Sequence, residues 1–408
     1  MNKGWKNGRV GELISSLESG ISVNGEDGTP SNNDYAVLKV SAVTYGKFNP
    51  QASKKITGSE LQRAKCNPKK GQIIISRSNT PDLVGASCYV SEDYPNRFLP
   101  DKLWQTVPHP EKKVEHKWLA YFLASPWARF RLSKLATGTS NSMKNITKSE
   151  LLTLPVPIPP FLEQKKIASF LECWDNAIEK TEALIEAKEK QFEWLTSNLI
   201  NRAGHKHTAA SGLMTEVSKR NKNSTIERVL SVTNHSGFVL PEEQFERRVA
   251  SANVSNYKVV EQGQYAYNPS RINVGSIARL DDWENGILSP MYVVFKLDTK
   301  RVCSDYFLHW LNSSEARQRI KNSAQGSVRE TVSFKDLGAI NIPLPAMDVQ
   351  KDVTYKLNLA QMEISLLKKT LEQYRSQKRG LMQKLLTGEW QVGGSQHLSE
   401  ESYQEASA

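Results

Sequence analysis

An internal repeat restricts the possible folds of this chain more than any other feature of its sequence. The segment LPVPIPPFLEQKKI at residues 154–167 returns in a weaker form, INIPLPAMDVQKDV, at residues 340–353, a displacement of 186 without a gap. Upstream, residues 37–40 match residues 229–232 at a displacement of 192, which falls to 190 and 188 before it reaches 186. Surface loops lose and gain residues while the elements between them persist, so this drift indicates a tandem duplication of a unit of roughly two hundred residues.

Each copy of the repeat ends in a long helix with heptad spacing. After the prolines, apolar residues follow one another at alternating steps of four and three, as in the seam of a coiled coil. These predicted seam residues are Ile167, Leu171, Trp174, Ile178, Ile185 and Leu195 in the first copy and Val353, Leu357, Ile364, Leu367, Leu371 and Leu381 in the second. Losing one residue would rotate the rest of a seam by about 100° away from its partner. Because no residue is lost, we predict that the two helices pack against each other.

The direction of this helix pair follows from its length. From Phe161 to Asn201 the first helix would be about 60 Å long at about 1.5 Å per residue. A parallel pair requires the chain to travel back over that distance, whereas an antiparallel pair does not. We therefore predict antiparallel helices with one globular part at each end, related by approximate twofold symmetry. In the alternative interpretation each apolar stripe packs only on its own domain, because the same spacing is common in core helices.

The part of each copy that precedes the prolines has mixed secondary structure. Short β-rich runs at residues 71–76, 263–268 and 291–297 accompany one predicted helix per copy, near residues 116–136 and again near 304–322. The predicted fold class is α+β, with two globular α/β domains separated by two long antiparallel coiled-coil helices. The predicted boundaries are 1–153 for the first domain, 154–203 for its proline segment and helix, 204–223 for a polar linker, 224–339 for the second domain, 340–390 for its proline segment and helix, and 391–408 for a disordered tail.

Composition narrows the possible partners. The 408 residues carry a net charge of +11 and have an isoelectric point near 9.3, which favours nucleic acid, with an acidic protein or membrane surface as alternatives. There is no leader pattern at Met1 and no apolar run approaches the roughly 18 residues that span a bilayer, so we expect a cytoplasmic protein without a membrane partner. The four cysteines and seven histidines show no metal-ligand spacing, so no bound metal is expected.

Two similar basic domains held apart by stiff helices fit the reading of two separated stretches of one DNA duplex. Three features also resemble the specificity subunits of type I restriction-modification systems: the prolines followed by Glu163, Gln164 and Ile167, the segment KRGLMQKLLTGEW at 378–390, and YNPSRINVGSIARL at 267–280. The resemblance covers nearly the whole chain and excludes only the C-terminal tail.

The second copy departs from the family pattern at one position. Val349 stands where the family has a glutamate, and Asp348 is a candidate substitute. The glutamine that follows is shared by both copies.

This resemblance implies that the chain is a DNA-recognition subunit with no catalytic centre. Each globular part would be a target recognition domain, and the helices would separate the two halves of a bipartite target. The chain would dock two methylase (M) subunits, and the complex of these two methylase subunits with one specificity subunit would recruit restriction (R) subunits. S-adenosylmethionine, ATP and magnesium would be used by these partners, with no cofactor bound by this chain. Because the domains match only weakly outside their framework, we expect two different half-sites and an asymmetric target.

Candidate DNA contacts follow the repeated Gly-Gln strands. Side chains suited to guanine or adenine edges are Arg77, Ser78 and Asn79 in the first domain and Asn268, Ser270, Arg271 and Asn273 in the second. Lys144 and Arg329, close to the return toward each long helix, are candidate phosphate contacts. The alternative is that the loop residues are turn formers that cap strand ends.

Two other function classes stay open. Asp82, Glu111 and Lys113 outline a PD-(D/E)-x-K nuclease, in which two carboxylates hold magnesium, although the second copy has no such triad and a solvated charged loop explains the same residues. A coiled-coil scaffold without DNA binding is the other class. A methyltransferase is disfavoured, because YNPSR lacks the second proline and the aromatic residue of the amine-holding motif and no glycine-rich cofactor loop follows a strand.

Overall fold

The computed structural model of the chain describes residues 4–138, 143–241, 253–324 and 331–392. The predicted tail beyond residue 392 and the candidate phosphate contact Arg329 lie outside these residues. The chain forms two compact units: unit 1 is Met1–Lys180 with Leu371–Ala408, and unit 2 is Thr181–Thr370. Within the described ranges, no helix is long and apolar enough to cross a membrane.

The secondary structure is mixed in both units. The α-helices are α1 (Gly58–Arg63), α2 (His116–Ala124), α3 (Pro126–Leu135), α4 (Lys148–Leu152), α5 (Phe161–Thr196), α6 (Ser304–Asn312), α7 (Ser314–Ala324), α8 (Phe334–Ala339) and α9 (Met347–Leu386). The strands of unit 1 are β1 (Lys6–Arg9), β2 (Ile14–Ser19), β3 (Ala36–Leu38), β4 (Ser53–Lys55), β5 (Ile73–Ser76), β6 (Ser78–Asn79), β7 (Ser87–Tyr89), β8 (Arg97–Phe98), β9 (Leu103–Pro108), β10 (Lys144–Asn145) and β11 (Pro155–Ile158). Those of unit 2 are β12 (His207–Ala209), β13 (Met214–Glu216), β14 (Ser231–Thr233), β15 (Gly237–Val239), β16 (Lys258–Glu261), β17 (Tyr265–Tyr267), β18 (Ile277–Arg279), β19 (Asn285–Leu288), β20 (Val293–Leu297) and β21 (Asn341–Pro343).

Each unit is built around a four-stranded antiparallel sheet with the same strand order. The order is β2-β9-β5-β7 in unit 1 and β13-β20-β17-β18 in unit 2. The inner strands β5 and β17 are buried along their whole length. A strand covered on both faces has no polar side to present to water, which explains why these strands appear in the sequence as continuous apolar runs. The β-rich runs predicted from the sequence are β5, β17 and β20.

The flanking strands differ between the units. Unit 1 adds a three-stranded sheet, β4-β3-β8, in which β3 and β8 are parallel. Unit 2 has two separate antiparallel pairs instead, β14 with β15 and β16 with β19. The duplicated framework is therefore the four-stranded sheet together with the helices that follow it, and the strands packed around it have diverged.

The single helix predicted in each domain is wrong, because each is two helices. Ser125 separates α2 from α3 and Ser313 separates α6 from α7, both with extended backbone angles. The Ser125 hydroxyl accepts the Ala128 amide at 3.3 Å, and the Ser313 hydroxyl accepts the Ala316 amide at 3.2 Å. A serine that caps a new helix satisfies amides that have no partner in a first turn, which makes the break stable in both copies.

The predicted polar linker at residues 204–223 is also wrong, because it contains β12 and β13. The strand β12 pairs with β21, and β13 pairs with β20. Each of these strands is only three residues long, and its partner lies far along the chain, so neither the alternation nor the length typical of a strand is visible in the sequence. The second domain therefore begins at or before β12, rather than at residue 224.

The two proline segments form edge strands that tie each long helix to its domain. In unit 1, β11 pairs with β1, and in unit 2, β21 pairs with β12, both antiparallel. Proline donates no amide hydrogen bond, which is tolerated in a two-stranded ribbon because half of each strand's groups face outward. The helices α5 and α9 begin a few residues after these strands.

Within each unit, a segment of α5 packs antiparallel to a segment of α9. In unit 1, Asp175 pairs with Lys378, and Ile167 and Leu171 share a core with Leu385. In unit 2, Lys188 pairs with Glu363 at 2.9 Å, whereas Leu195 and Leu199, further along α5, share a core with Val353 and Leu357, which come earlier on α9. In both units, residues later in the sequence of α5 thus contact residues earlier in the sequence of α9, which is the antiparallel direction.

The heptad residues line the buried side of these helices. All twelve predicted seam residues are buried or half-buried. Ile167 and Leu171 belong to the core of unit 1, so part of the stripe packs on its own domain. Ile185 and Ile364 of unit 2 are buried outside the domain cores, as expected for residues covered by the partner helix. The apolar stripe therefore packs partly on its own domain and partly on the partner helix.

Candidate nucleic-acid interface

In unit 1, the predicted DNA-binding loop begins directly after the inner strand β5. The Arg77 amide donates to the Lys102 carbonyl at 3.0 Å, and the Arg77 carbonyl accepts the Ile146 amide at 2.9 Å. Asn79 on β6 lies opposite Lys144 on β10. The fold thus brings the predicted phosphate contact Lys144 beside the predicted loop, although the two are far apart in the sequence.

The side chains of this loop have different environments. Ser78 is buried, and Asn79 is engaged locally, donating to the Ser76 hydroxyl at 3.2 Å and accepting the Thr80 amide at 2.8 Å. These are the bonds that turn-forming residues make. The Arg77 side chain is 41% exposed, with its guanidinium 3.7 Å from Asp101, and the Lys144 ammonium donates to the Gly138 carbonyl at 2.8 Å. Arg77 and Lys144 are therefore the predicted residues with charge at the surface of unit 1.

In unit 2, the corresponding loop follows β17 and is held in the same way. The Val332 amide donates to the Pro269 carbonyl at 3.1 Å, as Ile146 does to Arg77 in unit 1. The Asn268 carboxamide oxygen accepts the Ser270 amide at 3.0 Å, and a 3-10 turn follows over Ile272–Val274.

The predicted residues of this loop are divided between surface and support. Ser270 and Arg271 are exposed, whereas Asn273 is half-buried. Among the described residues, the Asn273 carboxamide oxygen is a buried acceptor with no donor. Because Arg271 is both exposed and cationic, it is the counterpart of Arg77 as a group available to DNA.

A second turn lies beside each loop, and sequence reasoning missed it. It precedes β9 as Pro100, Asp101 and Lys102, and it precedes β20 as Pro290, Met291 and Tyr292. The turns meet the loops because β5 pairs with β9 and β17 pairs with β20 in the central sheets. The repeated proline, at a displacement of 190, was the available signal.

A buried arginine supports the unit 1 loop from behind. The Arg129 guanidinium donates to the Val84 carbonyl at 2.6 Å and to the Asp82 carbonyl, and it lies 5.7 Å from the centre of the exposed Tyr45 ring. Burial lowers the pKa of Arg129, yet an arginine remains protonated at neutral pH. Arg317 occupies the equivalent position of unit 2 and is exposed. The buried arginine is therefore a feature of unit 1.

For the nuclease alternative, the described residues include no arrangement of side chains that could hold a metal ion. Asp82 lies in the turn that Arg129 holds, and Glu111 lies in the loop after β9, where its amide donates to the His109 ring at 3.2 Å. Among the residues that the structure describes, no group of three or more His, Cys, Asp or Glu side chains is arranged to hold a metal ion.

Comparison with known proteins identifies the class. Residues 2–189 match the family described as "Type I restriction modification DNA specificity domain". The EcoEI specificity subunit of Escherichia coli is 23% identical over 201 residues, covering 49% of this chain and 34% of that protein. The putative MjaX specificity subunit of Methanocaldococcus jannaschii is 24% identical over 348 residues, covering 79% of each. The crystal structure of a type I S subunit from M. genitalium has a TM-score of 0.59 at 18% identity, covering 95% of this chain and 97% of that one.

The duplicated framework and these matches relate the chain to type I specificity subunits, with which it shares its fold. Residues 2–189 carry the DNA specificity domain of type I restriction-modification systems, and the chain is similar over most of its length to a specificity subunit. The family and the α+β fold class predicted from the sequence are thereby confirmed. The chain spans about a third of the length of EcoEI and about four-fifths of the length of MjaX.

Proposed function

We propose that each domain reads one half of a bipartite, asymmetric DNA target. One observation carries this proposal: the two units hold their loops and turns on the same framework but present different side chains from it. Where the loop meets the turn, unit 1 presents Arg77 3.7 Å from Asp101, whereas unit 2 presents Asn268, which donates to the Met291 sulfur. A shared scaffold with different polar groups is the arrangement expected of two readers with different base preferences. The net charge of +11 supplies the attraction to phosphate.

A domain exchange tests this proposal. Residues 207–339 are replaced by the equivalent segment of another family member, and the methylated sequence is mapped by long-read sequencing in cells that carry the matching methylase. One half-site is expected to change while the other stays the same. The matched control exchanges residues 6–153, which should change the other half-site. If either exchange alters both halves, the domains do not read independently.

The methylase partner is proposed to dock on an exposed stripe of α9. The stripe consists of Tyr355, Leu359, Met362 and Leu366, which are between 51 and 69% exposed and repeat at steps of four, three and four. This spacing suits a third helix packed on the pair. At the equivalent positions α5 carries Ser169, Cys173, Asn176 and Lys180. The stripe therefore belongs to the second copy only.

Charged substitutions test this docking surface. Leu359→Glu combined with Leu366→Glu should lower the number of methylase subunits that co-purify, because a partner helix would bury two uncompensated carboxylates. The matched control places Glu at Cys173 and Lys180 of α5 and should co-purify as the wild type does. If the α9 variant has a wild-type circular dichroism spectrum and still co-purifies with the wild-type number of methylase subunits, the methylase binds elsewhere.

The chain is proposed to contribute recognition and no chemistry. In this proposal two methylase subunits use S-adenosylmethionine, and restriction subunits that join the assembled methylase–specificity complex use ATP and magnesium. Among the described residues no group of three or more His, Cys, Asp or Glu side chains is arranged to hold a metal ion, which supports this assignment over the nuclease alternative. Asp82→Ala with Glu111→Ala should leave methylation and restriction by the assembled complex intact. Loss of DNA cleavage with DNA binding preserved would instead assign the cleavage to this chain.

A further inference from the structure

The turn before β20 presents an apolar side chain at the proposed DNA surface of unit 2. Met291 is 61% exposed, although its backbone is firmly held. The next residue, Tyr292, is buried and donates its amide to the Ser289 carbonyl at 3.0 Å, and Val293 pairs with Tyr267 across the sheet. Because the Met291 side chain is largely exposed on a fixed backbone, it is available for contact with a bound ligand.

Met291 is joined to the predicted DNA-binding loop. The carboxamide nitrogen of Asn268 donates to the Met291 sulfur at 3.8 Å, while the carboxamide oxygen accepts the Ser270 amide at 3.0 Å. Asn268 thus orients Met291 and the loop together. At the other end of this loop Val274 is also 61% exposed. The surface around the loop therefore combines hydrogen-bonding groups with exposed apolar ones.

Unit 1 has the opposite chemistry at the same place. Its turn carries Asp101 and Lys102, and Asp101 lies 3.7 Å from the Arg77 guanidinium. Unit 2 thus has a thioether beside a carboxamide where unit 1 has a carboxylate beside a guanidinium. In both units the pair lies where the loop after the inner strand meets the turn before the neighbouring strand, so it is a difference in what each domain offers to a ligand.

We propose that Met291 contacts the 5-methyl group of a thymine in the half-site read by the second domain. The inference rests on the proposed function and assigns one residue that would determine the base preference of the second domain. In the major groove, thymine presents a 5-methyl group beside its O4 acceptor, and none of the other three bases has a methyl group at that edge. An unbranched, polarisable methionine adapts to such a contact. Asn268 beside it supplies the polar group that a neighbouring base requires.

Removal of the thymine methyl tests this inference directly. The methylated target is first mapped, and each thymine of the second domain's half-site is then replaced singly by deoxyuridine in a synthetic duplex. The dissociation constant of the complex with methylase is measured by fluorescence anisotropy at fixed salt. At one position, we expect the loss of the methyl group to weaken wild-type binding about fourfold, the effect of burying one such group.

Two variants identify the residue responsible. With Met291→Ala, the same deoxyuridine duplex and the thymine duplex should bind equally, because the contact is already lost and the two changes are not additive. Met291→Leu should retain most of the preference for thymine. Deoxyuridine replacements in the other half-site, tested with Met291→Ala, are the control and should have the same effect as in the wild type.

Several results would overturn the inference. These are a half-site without thymine, equal binding of every deoxyuridine duplex by the wild type, and an undiminished methyl preference in Met291→Ala. Loss of methylase association in Met291→Ala would assign the residue to a protein interface. A complex that binds no duplex specifically would refute the proposed function itself, whereas specific binding without a Met291-dependent methyl effect would refute only this inference.

Discussion

The two junctions between the domains and the long helices share one contact and differ in another. At both, a buried glutamine in the first turn of the long helix bonds to its own domain. Gln164 accepts the Glu115 amide at 2.9 Å and donates to the Pro159 carbonyl at 2.9 Å. Gln350 accepts the Cys303 amide at 2.8 Å and donates to the Pro345 carbonyl at 2.9 Å.

The residue before each glutamine has a different role in the two units. Glu163 accepts the Trp5 indole N–H at 2.9 Å, and the Trp5 ring lies against Gly388 just beyond the end of α9. In unit 2, Val349 replaces the glutamate, and by strand register His205 replaces the tryptophan. Both partners of the Trp–Glu bond are therefore absent together from the second junction.

This contrast shows which contact the fold requires. The glutamine joins a long helix to the first helix of the pair in its domain, because it accepts the amide of the residue that precedes α2 or α6. Each junction needs this link. The tryptophan adds a second link at the first junction, from the segment before β1 to the start of α5 and to Gly388 just after α9. At the second junction the segment before β12 follows directly from α5, so covalent connection already holds it near a long helix.

The largest expected effect is the loss of Trp5. Trp5→Ala should destabilise unit 1 by about 3–5 kcal/mol, because it removes a buried indole and leaves a cavity between α5 and Gly388. Hydrogen exchange should show lost protection of β1 and β11, while β12 and β21 keep theirs. His205→Ala is the matched control, with an expected effect below about 1 kcal/mol. Equal losses in both units would contradict the proposed difference between the junctions.

The glutamines should give smaller and nearly equal effects. Gln164→Ala and Gln350→Ala are each expected to cost about 2–3 kcal/mol, because each leaves a buried amide and at least one carbonyl without a partner. Urea unfolding followed by unit-resolved hydrogen exchange measures the two costs. Glu163→Gln, which keeps a side-chain acceptor for Trp5, is the control and should cost less. A large effect of only one glutamine would show that the junctions are not equivalent.

The smallest expected effect is a pH dependence of opposite sign in the two units. Burial raises the pKa of Glu163 above its usual 4.5 and lowers the pKa of His309, near α9, below its usual 6.5. As the pH falls through the raised pKa toward 4.5, folded Glu163 binds protons before the unfolded chain does, so unit 1 gains stability. As the pH falls below 6.5, the unfolded chain protonates at His309 first, so unit 2 loses stability.

Comparison of the wild type with two variants checks this sign difference. Glu163→Gln should remove the acid-range gain of unit 1, and His309→Gln should reduce the loss of unit 2, both followed by hydrogen exchange corrected for the intrinsic pH effect. His309 also faces Asn358, whose carboxamide oxygen lies 2.6 Å from its ring nitrogen, and Phe192. A slope of the same sign in both units would contradict the assignment of these groups.

Local and periodic features were predictable from the sequence. The seam of Ile167, Leu171 and their successors shows its period over many turns, and the prolines mark where each long helix begins. The sequence did not show that Ser125 divides α2 from α3, because apolar residues continue through the break. The strands β12 and β13 were hidden because three residues are too few to display alternation.

The candidate site was predictable only in part. The loops at Arg77 and Asn268 follow recognisable strands, and their polar residues suit base edges. Whether a side chain faces solvent depends on its neighbours, however, and the structure places Ser78 in the interior. The turns with Asp101 and Met291 join the site only through the pairing of strands distant in sequence. A similar limit applies to Trp5 and Glu163, which are 158 residues apart.

The sequence by itself determined the duplication, the α+β class, the heptad seam and the family, because these depend on order, period and residue type along one dimension. Only the tertiary structure decided which residues share a surface: Lys144 beside Asn79, Met291 beside Asn268, and Trp5 between the start of α5 and Gly388. The physical reason is that sheet register and helix packing join segments separated by tens to hundreds of residues. A hydrogen bond or an exposed side chain exists only after those segments have met.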